Sequence, residues 1–291
     1  MLRHTDAGYP RRLRALRGVL PALHVRHDRD HDWAGAVHSV AIVGARAAKT
    51  AAVAQARGLA CALAERGVVI VSGGALGVDA AAHQGALDSH ARTGAGITVA
   101  VLGCGLDVVY PPQHGPLFGD ICAAGGAVIS PFRPGAPPRA GYFVRRNAVI
   151  AGLADAVVVI GAGASSGALH TAAAAARLGR LVAAVPGSTG CDRLIARGAA
   201  VVEQPGDLWD ALAGQPHRPT AELPATDSAG ARVLVYLDRA NERACEDIAV
   251  RAGMSPRDVA RALTGLELDG LAIARPGQRY VRSALAEELL A

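Results

Sequence analysis

From residue 38 onward, short runs of β-branched and aliphatic residues recur with Ala-rich stretches between them. The runs lie at 38–43, 68–72, 98–102, 127–130, 156–160 and 181–185, and read VAIV, VVIVS, TVAVL, AVIS, AVVVI and LVAAV. Strands of this kind, apolar on both sides, require cover on both faces, which a parallel sheet obtains from helices crossing above and below it. Helices are expected at 51–66, 80–89, 113–124, 147–153 and 168–178. The rhythm therefore predicts an α/β chain with a doubly wound, mostly parallel sheet.

The rhythm stops near residue 212. Residues 213–230, AGQPHRPTAELPATDSAG, combine three prolines with small polar residues and no period, the composition of a linker. Beyond them the text reads as helix, helix, turn, helix and β-hairpin, the order of a winged helix. Gly253 stands at the turn, Ser255-Pro256 opens the third helix, and Val259, Leu263, Leu266 and Leu271 close a small core. The chain thus divides into an N-terminal arm at 1–37, a core at 38–212, the linker at 213–230 and a winged-helix domain at 231–291. Five scattered cysteines, none in a CxxC pair, suggest buried thiols rather than a metal site or a disulfide framework. No apolar run is long enough to span a bilayer and the first residues hold no signal-peptide core, so a soluble, cytoplasmic protein is expected. The net charge of +5 resides in the arm and core, since the last 61 residues balance nine basic against nine acidic groups. Such an excess permits a polyanionic partner without demanding one.

In an open α/β sheet, ligands bind beyond the carboxyl ends of the strands. Here those ends carry Gly44-Ala45-Arg46, the stretch from Ser72 through Gly73 and Gly74 to Asp79, Gly103-Cys104-Gly105, and the stretch from Gly161 to Gly167. Four loops of small residues would face one crevice, with N–H groups and helix N-termini receptive to anions. A nicotinamide or flavin fingerprint is missing: the first loop lacks GxGxxG, and the nearest match, from Gly161, lacks both the third glycine and the later acid. A GxxxxGK[ST] loop is also missing. No cofactor is expected.

Seven segments occur in the order of one known family. YPRRLRALRGVLPALHV, VAIVGARAAKT, VIVSGGALGVDAAAHQGAL, VAVLGCGLDVVYPPQH, FVRRNAVIAGLADAVVVI, SSGALHTAAAAARLGR and VAAVPG, spanning about residues 9–203, resemble the DNA processing protein A (DprA/Smf) family, and the C-terminal winged helix is similar to that family's own. The resemblance implies an extended Rossmann-like core that binds single-stranded DNA without cleaving it. It also implies a homodimer, and assistance in loading the RecA recombinase onto incoming DNA in natural transformation.

Carried over residue by residue, the resemblance makes Arg46 a phosphate contact and gives the Ser72-Gly73-Gly74 loop backbone amides for a phosphate. Arg145, Arg146 and Asn147 would approach the strand, with Phe143 offering a ring either to a base or to the core. Ser166, Gly167 and Thr171 would form a further anion-accepting end. Asp79 cannot bind an anion and is expected to cap the helix at Ala80; His83 is expected to be structural. Three positions depart from the family pattern, Pro131, Ala148 and Gly161, each removing polarity from the groove. The rival reading is an enzyme similar to LOG-type nucleotide phosphoribohydrolases, but the comparable stretch GASSGALHTAAAAA carries no acid for the glycosidic bond. The neutral winged helix points to protein contact more than to reading duplex DNA.

Overall fold

The computed structural model describes residues 1–16, 20–28, 33–36, 38–213, 224–268, 271–275, 277–283, 286 and 290. Within the first unit the elements run β1 (His24–Arg26), β2 (Ser39–Gly44), α1 (Thr50–Ala64), β3 (Val69–Ser72), α2 (Val78–Thr93) and β4 (Thr98–Val101). They continue α3 (Gly115–Ala123), β5 (Ala127–Ser130), α4 (Ala140–Leu153), β6 (Ala156–Ile160), α5 (Ala168–Arg177), β7 (Leu181–Ala184), α6 (Thr189–Ala196), β8 (Ala200–Val201) and α7 (Pro205–Ala213). The strands form one eight-stranded sheet in the order β1-β5-β4-β3-β2-β6-β7-β8, parallel except for β1. Chain order proceeds one way from β2 to β5 and then resumes on the other side of β2 with β6. The switch point of the doubly wound sheet is therefore the gap between β2 and β6.

Alternation along each strand builds two cores. Val40, Ile42 and Ile70 point to the face covered by α1 and α2, while Ala41, Val43, Val69 and Val71 point to the face covered by α4 and α5. Alanines along α5, from Ala172 to Ala175, let that helix lie close on the sheet. The six expected strands are present to within one residue at either end. Three features depart from expectation. The helix expected at 147–153 begins at Ala140, because Tyr142 stacks on Phe132 of the loop after β5 and Phe143 lies on Gly103 of the loop after β4, which anchors the added turns. The segment read as an arm joins the fold: β1 pairs antiparallel with β5, Tyr9 and Leu13 are buried, and Arg12 forms a forked ion pair with Asp155 at 2.7 and 2.9 Å. Helices α6 and α7 and strand β8 lie in text too short and mixed to show a period.

Residues 214–223 of the expected linker lie outside the described residues; helix α8 (Ala229–Leu234) already begins within its last part, capped by Ser228. Then follow β9 (Arg243–Ala244), α9 (Cys245–Ala252), α10 (Pro256–Leu268), β10 (Ala272–Arg275) and β11 (Arg279–Arg282). Gly253 takes the left-handed conformation at the turn (φ 60°), and the Ser255 hydroxyl accepts from the Asp258 amide at 3.1 Å. Val259, Leu263, Leu266 and Leu271 are buried together. The C-terminal half of α10 packs on α5. There Glu267, with a side chain 1% exposed, meets Arg177 at 2.6 Å and His170 at 3.4 Å. Among the described residues, no helix is long and apolar enough to cross a membrane.

Candidate functional site: a crevice at the switch point

The β2 and β6 ends come so close that a Cβ on Gly44 would sit 2.0 Å from the Ile160 carbonyl oxygen. Only glycine permits this approach. Beyond it opens a crevice of about 510 Å³, walled by Gly44–Ala47, by Ala75 and Asp79, by Phe143, Arg146 and Asn147 of α4, and by Gly163–Thr171 leading into α5. The expected convergence of strand-end loops thus holds for three of the four. The Gly103-Cys104-Gly105 loop does not line this crevice: Gly103 lies under the Phe143 ring and borders a smaller adjoining depression with Tyr110 and Leu76.

The structure divides the expected site residues into rim and foundation. Arg46 is exposed, and its guanidinium carbon lies 5.2 Å from the Phe143 ring centroid. Phe143 is half-buried, flanked by Tyr110 at 5.6 Å between centroids. Asn147 donates to the Gly167 carbonyl at 3.3 Å, and Ser166 accepts from the Ala168 amide at 3.3 Å. Thr171 lines the floor, almost fully buried. Arg46, Phe143, Asn147, Ser166, Gly167 and Thr171 are therefore brought together. His170, which sequence reasoning passed over, joins them and touches Glu267 of α10.

Ser72, Gly73 and Arg146 do not play the parts expected of them. The Ser72 side chain is fully buried and donates to the Ile42 carbonyl at 2.6 Å, bracing β3 against β2. The Gly73 amide does not face outward: it donates to Asp79 Oδ2 at 3.1 Å, as does the Ala75 amide at 3.3 Å. Asp79 accordingly is not the cap of a helix at Ala80. It sits inside the first turn of α2 and fills, with its own carboxylate, the anion hole that the glycine loop would otherwise offer. The Gly74 carbonyl accepts from His114 Nδ1 at 2.9 Å, which ties the loop to the segment before α3.

Arg146 is 4% exposed, and its Nη1 donates to the carbonyls of Gly73 and Val101. A Cβ on Gly73 would meet both the Arg146 guanidinium and Asp79 Oδ2 at 2.6 Å, so the two charges close over that bare backbone. Burial pushes the Asp79 carboxyl above its usual range, opposed by the Arg146 charge and by the two amides. Burial likewise lowers Arg146 to about 10, opposed by Asp79. Arg146 thus remains a cation at neutral pH, but it holds the loop instead of reaching solvent. Arg145 is exposed and stands on the neighbouring stripe of α4, outside the crevice. His83 is fully buried, with Nδ1 bonded at 2.7 Å to Thr98, whose hydroxyl donates to Ile70. Desolvation first, then the charges of His114 and Arg146, lower it to about 3, so it is neutral and structural as expected.

Fold and site together define a class: a doubly wound α/β protein with a cationic, aromatic-edged crevice at its switch point and a winged helix packed against it. Comparison names the family. A family profile described as DNA recombination-mediator protein A matches residues 1–213, and one described as DprA winged helix domain matches residues 217–278. The chain belongs to the DNA recombination-mediator protein A family. It is 41% identical over 265 residues to a putative DNA processing protein DprA of Mycobacterium tuberculosis, covering 87% of this chain and 67% of that one. It is 36% identical over 263 residues to Protein Smf of Escherichia coli, covering 85% and 69%. Among solved structures it resembles DNA processing protein A from Streptococcus pneumoniae (TM-score 0.65, 34% identity, 72% of each chain). It also resembles the Helicobacter pylori protein (TM-score 0.62, 27% identity, 72% of this chain and 94% of that one), whose structure is described in terms of its single-stranded DNA binding mode.

Proposed function

We propose that this chain binds single-stranded DNA in the switch-point crevice, protects incoming strands, and helps load the RecA recombinase in DNA uptake, acting in the cytoplasm as a homodimer. The observation that carries the binding reading is the pair at the rim: an exposed Arg46 laid over a half-buried Phe143 at the mouth of an open crevice. A polynucleotide strand without a partner presents phosphates and splayed bases, and binders of such strands combine cations with aromatic platforms. In this reading Arg46 takes a phosphate through its guanidinium edge, which stacking on the ring leaves free. Phe143, with Gly103 beneath its ring and Arg46 over it, orients that guanidinium and turns its remaining exposed edge toward a base. Asn147, Ser166, Gly167 and Thr171 supply polar groups along the floor. Arg146 and Ser72 act through the loops they hold and are positioning residues. The single-stranded DNA binding of the Helicobacter pylori protein, which shares this fold at 27% identity, supports the ligand class.

A hydrolase of the phosphoribohydrolase type finds less support here. Asp79 is the one carboxylate among the described lining residues; it is 7% exposed, and its Oδ2 is occupied by two amides. A general acid has to reach the bond it protonates.

The test is fluorescence anisotropy with labelled oligothymidylate and a matching duplex at two salt concentrations. Wild type should prefer the single strand. Arg46→Ala should weaken it about tenfold and flatten the plot of log affinity against log salt by roughly 0.7, the contribution of one phosphate on a single strand. An Arg46→Ala variant that binds as wild type does would overturn the assignment.

A further inference from the structure

Beside the crevice, the chain builds a second arrangement of rings and guanidinium groups. Phe132, in the loop after β5, stacks on Tyr142 of α4 with centroids 4.2 Å apart and planes 10° from parallel. Arg145 lies over Phe132 at 5.7 Å, and Arg139 lies beside Tyr142 at 6.0 Å. The four form one cluster, a stacked pair of rings with a guanidinium over each. Residues 139, 142 and 145 are spaced by three, so they share a stripe of α4 and its cap, next to the stripe of Phe143, Arg146 and Asn147 that walls the crevice. Phe132 is 6% exposed, while both arginines stand in solvent. Neither guanidinium meets a carboxylate among the described residues. The stretch that carries them is itself without acid: residues 121–154 contain four arginines and not one Asp or Glu.

A guanidinium held over a ring by a cation–π contact uses none of its N–H donors on that ring, so the fork that matches a phosphate stays available. A surface arginine otherwise loses much rotamer freedom when it binds; one already held over a ring has less to lose.

We propose that this cluster is a second binding element for a DNA backbone, continuous with the crevice, so that a strand leaving Phe143 runs along the outer stripe of α4 and places two phosphates on Arg139 and Arg145. The inference rests on the single-strand reading above and extends the strand's path on the protein beyond the crevice.

Anisotropy with labelled oligothymidylates of six and of twenty or more nucleotides tests it, using the full chain, Arg139→Ala/Arg145→Ala, and Arg46→Ala as the crevice control. Thermal melting of each variant confirms that it folds. The double variant should bind the short oligomer as wild type does, lose about tenfold on the long one, and flatten its salt slope by roughly 1.4, two phosphates' worth. Arg139→Lys/Arg145→Lys should restore the slope but only part of the affinity, because an ammonium keeps the charge and loses the fork. Long-oligomer binding equal to wild type, with Arg46→Ala still weakened, overturns the second element alone. Equal loss on both lengths overturns the extended path, since the two arginines would then belong to the crevice. Failure of wild type to bind either oligomer refutes the crevice reading and this inference with it.

Discussion

Replacing Arg146 by Ala should damage stability far more than replacing Arg46, although the two arginines sit on the same crevice. Arg146 is 4% exposed, and its removal leaves the Asp79 carboxylate, itself 7% exposed, without the cation that offsets its burial. The carbonyls of Gly73 and Val101 lose their donor as well. Breaking one side of a buried charge pair costs about 3–5 kcal/mol, because the remaining charge has neither water nor partner. At roughly 2–4 °C per kcal/mol for a unit of this size, Arg146→Ala should lower the melting temperature by about 10 °C. Arg46→Ala should leave melting nearly unchanged, since surface substitutions are worth about 0.5 kcal/mol or less. Differential scanning calorimetry reads both. The double variant Arg146→Met/Asp79→Asn supplies the decisive comparison: with both charges gone, much of the loss should return, giving a coupling of at least about 1.5 kcal/mol in the cycle with the single variants. An Arg146→Ala protein that melts within about 2 °C of wild type, less than the effect of about 1 kcal/mol, or single-variant effects that simply add, would refute the view that Arg146 and Asp79 offset each other's burial while holding the glycine loop.

Two further outcomes are expected. His83 has its pKa lowered to about 3 in the fold against about 6.5 in the open chain, so between these values the unfolded state binds the proton that the native state refuses. Its contribution is complete above about pH 6.5 and declines as pH falls, by about 2 kcal/mol between pH 7 and 5; urea unfolding at the two pH values should show this drop, reduced in His83→Gln, and a pH-independent difference between the two proteins would contradict it. Glu267→Ala should free the winged helix from the core, because Arg177 and His170 lose the carboxylate they share. Hydrogen exchange along α10 should then rise at least about tenfold while that of β3 and β4 stays slow, and unchanged exchange would show that apolar packing alone holds the two units together.

Much of this molecule was legible in its text. Apolar runs such as AVVVI at 156–160 can be buried on both sides only in a covered parallel sheet, and Gly253, Ser255 and Pro256 mark a turn and a helix start by local chemistry alone. Short elements escaped, because β1 and β8 are defined by the strands they pair with and α6 by the packing of Cys191 and Leu194 against the sheet. The glycine loops are legible as places of close backbone approach. The direction of their amides is not, since nothing in the spacing of Gly73 and Asp79 says that the carboxylate turns back into the loop and consumes the donors.

Local propensity and periodicity act through neighbours in sequence, so the chain by itself determined its elements, their alternation, the family motifs and the concentration of arginine without acid between residues 121 and 154. Which of those arginines faces water was a matter of tertiary structure. Arg145 and Arg146 are adjacent in sequence and about 100° apart around α4, so the helix turns one toward solvent against Phe132 and sends the other beneath the crevice to Gly73. The same packing laid Glu267 of the last long helix against Arg177 of α5, a contact across 90 residues that charge counting registers only as neutrality.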